Sequence, residues 1–266
     1  MTGPILDKIF ADKRVRVEAA KAASDRVALR DLALETRSTC GSHRFRTALS
    51  DPSRINIIAE FKKASPSKGV INNGVDPADV ARQYDEGGAA AISVLTEEDH
   101  FKGSLDDLRA VRAAVDLPIL RKDFIFDEFQ IYEAAATGAD AILLIAAMLG
   151  DDEIQRLRTI AEVELGLDAL IEVHTLDELE RVAKTGSTLI GVNNRDLKTF
   201  HVTLDVSREL IRHAPDGAIM VTESGLSSNH ELLELRGLGY TGFLIGETLM
   251  RTGMPTSDLR RLTRSR

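Results

Sequence analysis

The segment AEFKKASPSKG, residues 59–69, places Glu60 and Lys62 two positions apart at the end of an apolar run, INIIAE. Carboxylate and ammonium groups are side chains that move protons in catalysis. Lys and Glu are rarely buried unless paired, so either this strand ends in water or its charges line a site. The same ending recurs along the chain. LPILRKD closes on Lys122 and Asp123, and ALIEVH on Glu172 and His174. TLIGVNNR closes on Asn193, Asn194 and Arg195, and AIMVTES on Glu223 and Ser224. One charged strand end is ordinarily a solvated one. Five of them point to a shared site.

The period of two along a strand sorts these residues. Glu60 and Lys62 share a face, as do Asn193 and Arg195, whereas Lys63, Asp123 and Asn194 are expected to point outward. Two further runs end in glycine turns, VTESG and LIGE. Such turns present backbone N–H groups to a phosphate. Gly225, Gly246 and Glu247 are the candidates, with Ser224 nearby. Glu247 is expected to act through its backbone, because its carboxylate would repel the anion. Ser65, Lys68 and Arg195 are further candidates for phosphate contact. The competing explanation is that glycine is common in any strand-to-helix turn. The six histidines form no H-x-H or H-E-x-x-H pattern, so no histidine metal site is expected. His174 is expected to shape a loop.

Regular elements must hold these residues in place. Eight runs rich in Ile, Val and Leu recur: INIIAE, AAAISVLT, LPILRKD, DAILLIAA, ALIEVH, TLIGVNNR, AIMVTES and GFLIGE. Most are nearly continuous, as in parallel strands covered on both faces. Helix-period segments lie between them. DPADVARQYDEGGA opens with a cap and a proline, Asp76-Pro77, and stops at Gly87-Gly88. SLDDLRAVRAAVD, DEFQIYEAAATGA, DDEIQRLRTIAEVELG, TLDELERVAKTG and SSNHELLELRGLG repeat the theme, most starting with Ser, Asp or Thr and closing at Gly. Strand-helix units repeated eight times read as an α/β fold, the (β/α)₈ TIM barrel, whose active sites lie at the C-terminal strand ends. An open doubly wound sheet is the alternative, but no G-x-G-x-x-G follows the first strand. Residues 1–50 stand outside the repeat: ILDKIFADKRVRVEAAKAA is helical in period and DLALETRS resembles a second short helix, so they read as an N-terminal helical extension packed on the barrel. The chain, 1–266, then reads as a single domain.

Composition limits the partners. With a formal net charge of −8, no nucleic-acid face is expected. Cys40 is the only cysteine, so no intrachain disulfide forms, which fits a reducing, cytoplasmic location. The N-terminus lacks the apolar core of a signal peptide. The longest apolar stretch, AILLIAAML at 141–149, falls short of the roughly 20 residues of a membrane helix.

The motifs AEFKKASPSKG, LPILRKDF, LLIAAML, LIEVH, IGVNNRDL, VTESG and LIGETLM, in that order, resemble those of the indole-3-glycerol phosphate synthase family of tryptophan biosynthesis. The likeness runs from ILDKI near the N-terminus to GETLMR. It implies that carboxyphenylamino-deoxyribulose 5-phosphate closes to indole-3-glycerol phosphate with loss of CO₂ and water. It places the catalytic residues on Glu60, Lys62, Lys122, Glu172, Asn193, Glu223 and Ser224. Phosphate contacts fall on Lys62, Ser65, Gly225, Gly246 and Glu247, with Arg195 near. Pro66 and Phe124 match residues lining the aromatic-ring pocket, and Phe101 matches in a loop that varies in the family. Glu247 stands where some relatives have Ser.

That chemistry suits the residues. A ring carbon must attack a ketone, and a buried ammonium can protonate the oxygen; Lys122 is the first choice. Lys62 and Glu172 are candidates for the acid and base of dehydration. Glu60 would charge-balance the lysines, Asn193 would bind a sugar hydroxyl, and Glu223 would complete the network. No metal or organic cofactor is implied, and the expected partner is a sugar phosphate met by a monomer. Other readings remain. The lysines could be paired structurally with Glu60 and Glu223. A class I aldolase would trap as a borohydride-reduced adduct. A sugar-phosphate isomerase would release no CO₂, since fold does not fix function. A non-enzymatic phosphate-binding protein would leave the substrate unchanged.

Overall fold

The computed structural model describes residues 4–65, 69–71, 74–196 and 198–264. The apolar runs form strands β1 (Asn56–Phe61), β2 (Ala91–Leu95), β3 (Ile119–Lys122) and β4 (Ala141–Ile145). They continue as β5 (Asp168–Val173), β6 (Leu189–Asn193), β7 (Ile219–Glu223) and β8 (Gly242–Ile245). Each strand pairs in parallel with its sequence neighbours, and Asn56 of β1 lies opposite Gly242 of β8. The sheet therefore closes into the expected (β/α)₈ barrel.

Helices precede and separate the strands. The N-terminal segment forms α1 (Pro4–Ala23), α2 (Arg26–Ser38) and α3 (Arg44–Leu49). Around the barrel run α4 (Pro77–Glu86), α5 (Leu105–Ala114), α6 (Glu128–Ala136), α7 (Asp151–Arg158) and α8 (Leu176–Lys184). They are followed by α9 (Asp205–Leu210), α10 (Asn229–Leu238), α11 (Glu247–Thr252) and α12 (Pro255–Leu262). Asp76, Ser104, Asp127, Thr175 and Ser228 cap α4, α5, α6, α8 and α10 by accepting backbone N–H bonds, each cap being worth about 1 kcal/mol.

Three details differ from the sequence reading. The helix expected over DDEIQRLRTIAEVELG narrows to α7 and then widens into a π-helical turn, Thr159–Glu164, in which the Leu165 N–H reaches Ile160 O. The second helix begins earlier than DLALETRS, because the Asp25 carboxylate caps it at Val27 and Ala28. The sequence carries no signal for the short α3. Its six residues are too few to show a helical period. It stoppers the N-terminal end of the barrel: Phe45 and Leu49 are fully buried and pack with Ile58, Leu120, Leu143, Leu170, Val221 and Leu244 of the barrel interior. Asp168, at the start of β5, accepts the Arg46 N–H and guanidinium. The opposite end of the barrel stays open.

Candidate active site

At the open end, Glu60, Lys122, Glu172 and Glu223 come from β1, β3, β5 and β7. A layer in this fold takes its side chains from alternate strands, and here such a layer is charged rather than apolar. Lys122 Nζ lies 2.5 Å from Glu223 Oε2, 3.8 Å from Glu60 Oε2 and 3.9 Å from Glu172 Oε2. Lys62 Nζ donates to Glu60 Oε1 at 2.6 Å. Asn193 Nδ2 donates to Glu172 Oε1 at 3.1 Å, and Asn193 Oδ1 accepts the Arg195 N–H at 3.0 Å. The register seats an even-strand residue beside each odd-strand charge: Ser93 beside Glu60, Leu95 beside Lys122, Ile145 beside Glu172, and Asn193 beside Glu223.

Burial and charge act in opposition here. Burial penalises the charge on Lys122, but Glu223, Glu60 and Glu172 outweigh it and raise its pKa above the ordinary lysine value, so the ammonium persists at neutral pH. Burial likewise opposes ionisation of Glu60, yet Lys62 and Lys122 hold its pKa below the usual carboxylate range. Glu172 goes the other way. Burial, reinforced by the charge of Glu223, pushes it up to about 7 against the pull of Lys122. Two neighbouring carboxyl groups are thus set for different protonation states, a pattern typical of proton-transfer sites.

Glycines make the room. A Cβ at Gly246 would sit 2.3 Å from Glu60 Oε1 and 3.0 Å from its Cβ, and one at Gly191 would sit 2.2 Å from Glu223 Oε1. We predict that Gly246→Ala destabilises the fold by about 1–3 kcal/mol through overpacking and lowers turnover by moving Glu60 off Lys62. Equilibrium urea denaturation checks this; a variant as stable as the parent would show that the turn simply yields. At the end of β7, Ser224 and Gly225 both adopt left-handed backbone, with φ of 67° and 81°. For a serine that conformation costs on the order of 1–3 kcal/mol. The Asn194 amide holds the turn by donating to Glu223 O and Ser224 O.

A cavity of about 390 Å³ opens above this layer. Glu60, Lys62, Ser65, Phe101, Lys122, Phe124, Glu172, Asn193, Arg195, Ser224, Gly225, Gly246 and Glu247 all border it. Glu223 does not reach the cavity wall; it is fully buried behind Lys122. Pro66 and Lys68 lie outside the described residues. Lys63 points outward as expected, to Asp107 of α5, and Asn194 turns its amide oxygen to the Ser207 N–H of α9. Asp123 departs in part. It points toward Lys13 of α1, but it also borders the cavity, because α1 lies over that rim. His174 Nδ1 donates to the Asn193 carbonyl, 2.7 Å away, and so braces two strand ends.

A sequence profile described as "Indole-3-glycerol phosphate synthase" matches residues 6–262. The chain belongs to the indole-3-glycerol phosphate synthase family. It is 47% identical over 258 residues to the indole-3-glycerol phosphate synthase of Carboxydothermus hydrogenoformans, covering 96% of this chain and 97% of that one. To the enzyme of the same name from Koribacter versatilis it is 46% identical over 260 residues, covering 97% and 98%. Among solved structures, 3-hexulose-6-phosphate synthase from Salmonella typhimurium superposes with a TM-score of 0.60 at 12% identity, covering 78% of this chain and 96% of that one. Thiamine phosphate pyrophosphorylase from Pyrococcus furiosus gives 0.58 at 16%, covering 78% and 93%. At such identities these two likenesses speak for the barrel alone.

Members of the indole-3-glycerol phosphate synthase family are enzymes, and the cavity of this one has walls that its strand-end motifs do not announce. Ile5, Leu6 and Ile9 of α1 form part of the roof. The sequence carries a helical period there, with Leu6, Ile9, Lys13 and Val17 as the buried stripe. Nothing in that period says which surface it covers. Arg251 of α11 also borders the cavity and lies 3.5 Å from Glu247.

Proposed function

We propose that the enzyme is a carboxy-lyase, closing 1-(2-carboxyphenylamino)-1-deoxyribulose 5-phosphate to indole-3-glycerol phosphate with release of CO₂ and water. The observation that carries this reading is an ammonium, Lys122, set among three carboxylates under a cavity with unlike ends. One end offers Phe101, Phe124 and the apolar side chains of α1 to an aromatic ring. The other offers the turns at Gly225 and Gly246, with Arg195, to a phosphate.

In this mechanism the ring carbon bearing the carboxylate bonds to the ketone carbon, and Lys122 gives its proton to the ketone oxygen. The C–carboxylate bond then breaks, CO₂ leaves, and its electron pair restores the aromatic ring. The new hydroxyl departs as water with a proton from Lys62, while Glu172 takes a proton from the adjacent ring methylene, the former C1 of the sugar; the electron pair of that C–H bond becomes the indole double bond, and the ring N–H is retained. Glu60 holds Lys62, Asn193 orients Glu172, and Glu223 keeps Lys122 charged. A Schiff-base aldolase fits less well, since imine formation needs a neutral amine and three carboxylates keep Lys122 protonated.

Incubation with the carboxyphenylamino substrate tests the reading: indole fluorescence and CO₂ should appear together, and their absence rejects it. The phosphate end has its own test. Inorganic phosphate should compete with substrate and raise Tm, by about 2.7 kcal/mol of added stability at 100 times its Kd. Saturating phosphate that neither inhibits nor stabilises would move that end elsewhere.

A further inference from the structure

Lys13 occupies a position in α1 that helical periodicity reserves for an apolar side chain. It is only 2% exposed, in line with Leu6, Ile9 and Val17. Its ammonium bonds Asp123 Oδ2 at 2.8 Å and Glu98 Oε2 at 2.9 Å. Asp123 is itself buried, and it is saturated with donors. Oδ2 also accepts from Thr96 Oγ1 at 2.6 Å and Arg121 Nη2 at 3.1 Å, and Oδ1 accepts the Phe124 N–H at 2.8 Å. Asp123 therefore sits between two cavity residues, Lys122 and Phe124, and fixes the backbone that carries both.

A buried ion pair is weak evidence for stability, because desolvation offsets its attraction. Methionine at position 13 would complete the apolar stripe without that cost. The residue is thus poorly explained as a fastener for α1, which has exposed pairs for that purpose: Arg16 with Asp99 and Asp12 with His100. The distinguishing feature of Lys13 is its partner, one residue from the ammonium above which the cavity opens.

We infer that Lys13 is a positioning residue for the reaction: acting through Asp123, it aligns Lys122 and Phe124 when α1 roofs the cavity. The inference rests on the proposed function. Lys13 donates no proton to substrate and touches none. It removes slack from the end of β3, where an error of about 1 Å can cost up to about 10²-fold in rate.

The test compares Lys13→Met, Lys13→Arg and Glu98→Gln with the parent, reading kcat, KM and Tm separately. Lys13→Met should lower kcat by about tenfold or more, with KM changed by less than about threefold and Tm lowered, since buried Asp123 then keeps only Arg121 as a cationic partner among the described residues. Lys13→Arg, which restores the charge and a donor, should recover most of the loss. Glu98→Gln leaves the link to Asp123 intact and should keep parental kcat. If the methionine variant does not fold, Lys13→Gln takes its place with the same expected fall in kcat. Unchanged kcat, a rise in KM alone, or an equal loss in Glu98→Gln would each overturn the inference, leaving Lys13 as a clamp on the roof. A parent that forms no indole would reject the proposed reaction, and this inference with it. An active parent isolates the effect of Lys13 in the ratio of variant to parent.

Discussion

Lys122→Met is expected to abolish CO₂ release and indole formation together, in a protein that still folds. Methionine keeps the length and apolar stem of the side chain but removes the charge and the proton. Ring closure places negative charge on the former ketone oxygen. An ammonium aimed there stabilises the transition state more than the ground state. General acid catalysis is worth roughly 10²–10⁴-fold, so kcat should fall by about that factor or more. Lys62→Met should differ, because Lys62 is assigned to the later step. It should release CO₂ and form indole with a lag. Single-turnover kinetics that follow the two products separately decide the matter. CO₂ release at the parental rate from Lys122→Met would mean that the two lysines have exchanged roles.

Glu172→Gln carries the second large effect. Glutamine preserves the shape and the contact with Asn193 but cannot accept a proton. We predict a fall in kcat of about 10²-fold or more with a modest change in KM. The pH profile adds a sign. With its pKa pushed up to about 7, Glu172 is protonated below that value and cannot serve as a base. The parental kcat should therefore decline as pH falls through about 7. The residual activity of Glu172→Gln should lack that limb. Parental turnover in the variant would shift the base to another carboxylate, Glu60 first. A limb that survives the substitution would assign the titration to another group.

The sequence made the barrel legible because its regularity is local. Most strand runs are nearly continuous and several helices begin with a capping residue, so Asp76, Ser104 and Thr175 could be assigned their places before any contact was known. The ring of charges was legible for the same reason, since polar residues stood where continuous apolar runs ended. What stayed hidden depends on contacts distant in sequence. Leu6 and Ile9 look like any buried stripe until α1 is placed over the cavity. The partner of Lys13 lies 110 positions away. Phe45 and Leu49 belong to a helix too short to show periodicity, and the barrel end they fill exists only once eight strands have closed. The LIGE motif marks Gly246 as a turn residue offering its N–H group. Its lack of a side chain also leaves space for Glu60, a close approach that no local pattern encodes.

Closure of the sheet through β1 and β8 also orders events during synthesis. Asn56 must wait for Gly242; at about 5–20 residues per second, the ribosome takes on the order of ten seconds or more to deliver the final strand. Lys13 emerges early and stays solvated until Asp123 follows it out. The clustered carboxylates need not desolvate one another while the sheet is still open, because each belongs to a different strand. Their mutual repulsion is met last, when Lys122 is already on hand to offset it. The nascent chain thus keeps its most costly charges in water until the enclosure that raises their cost is complete.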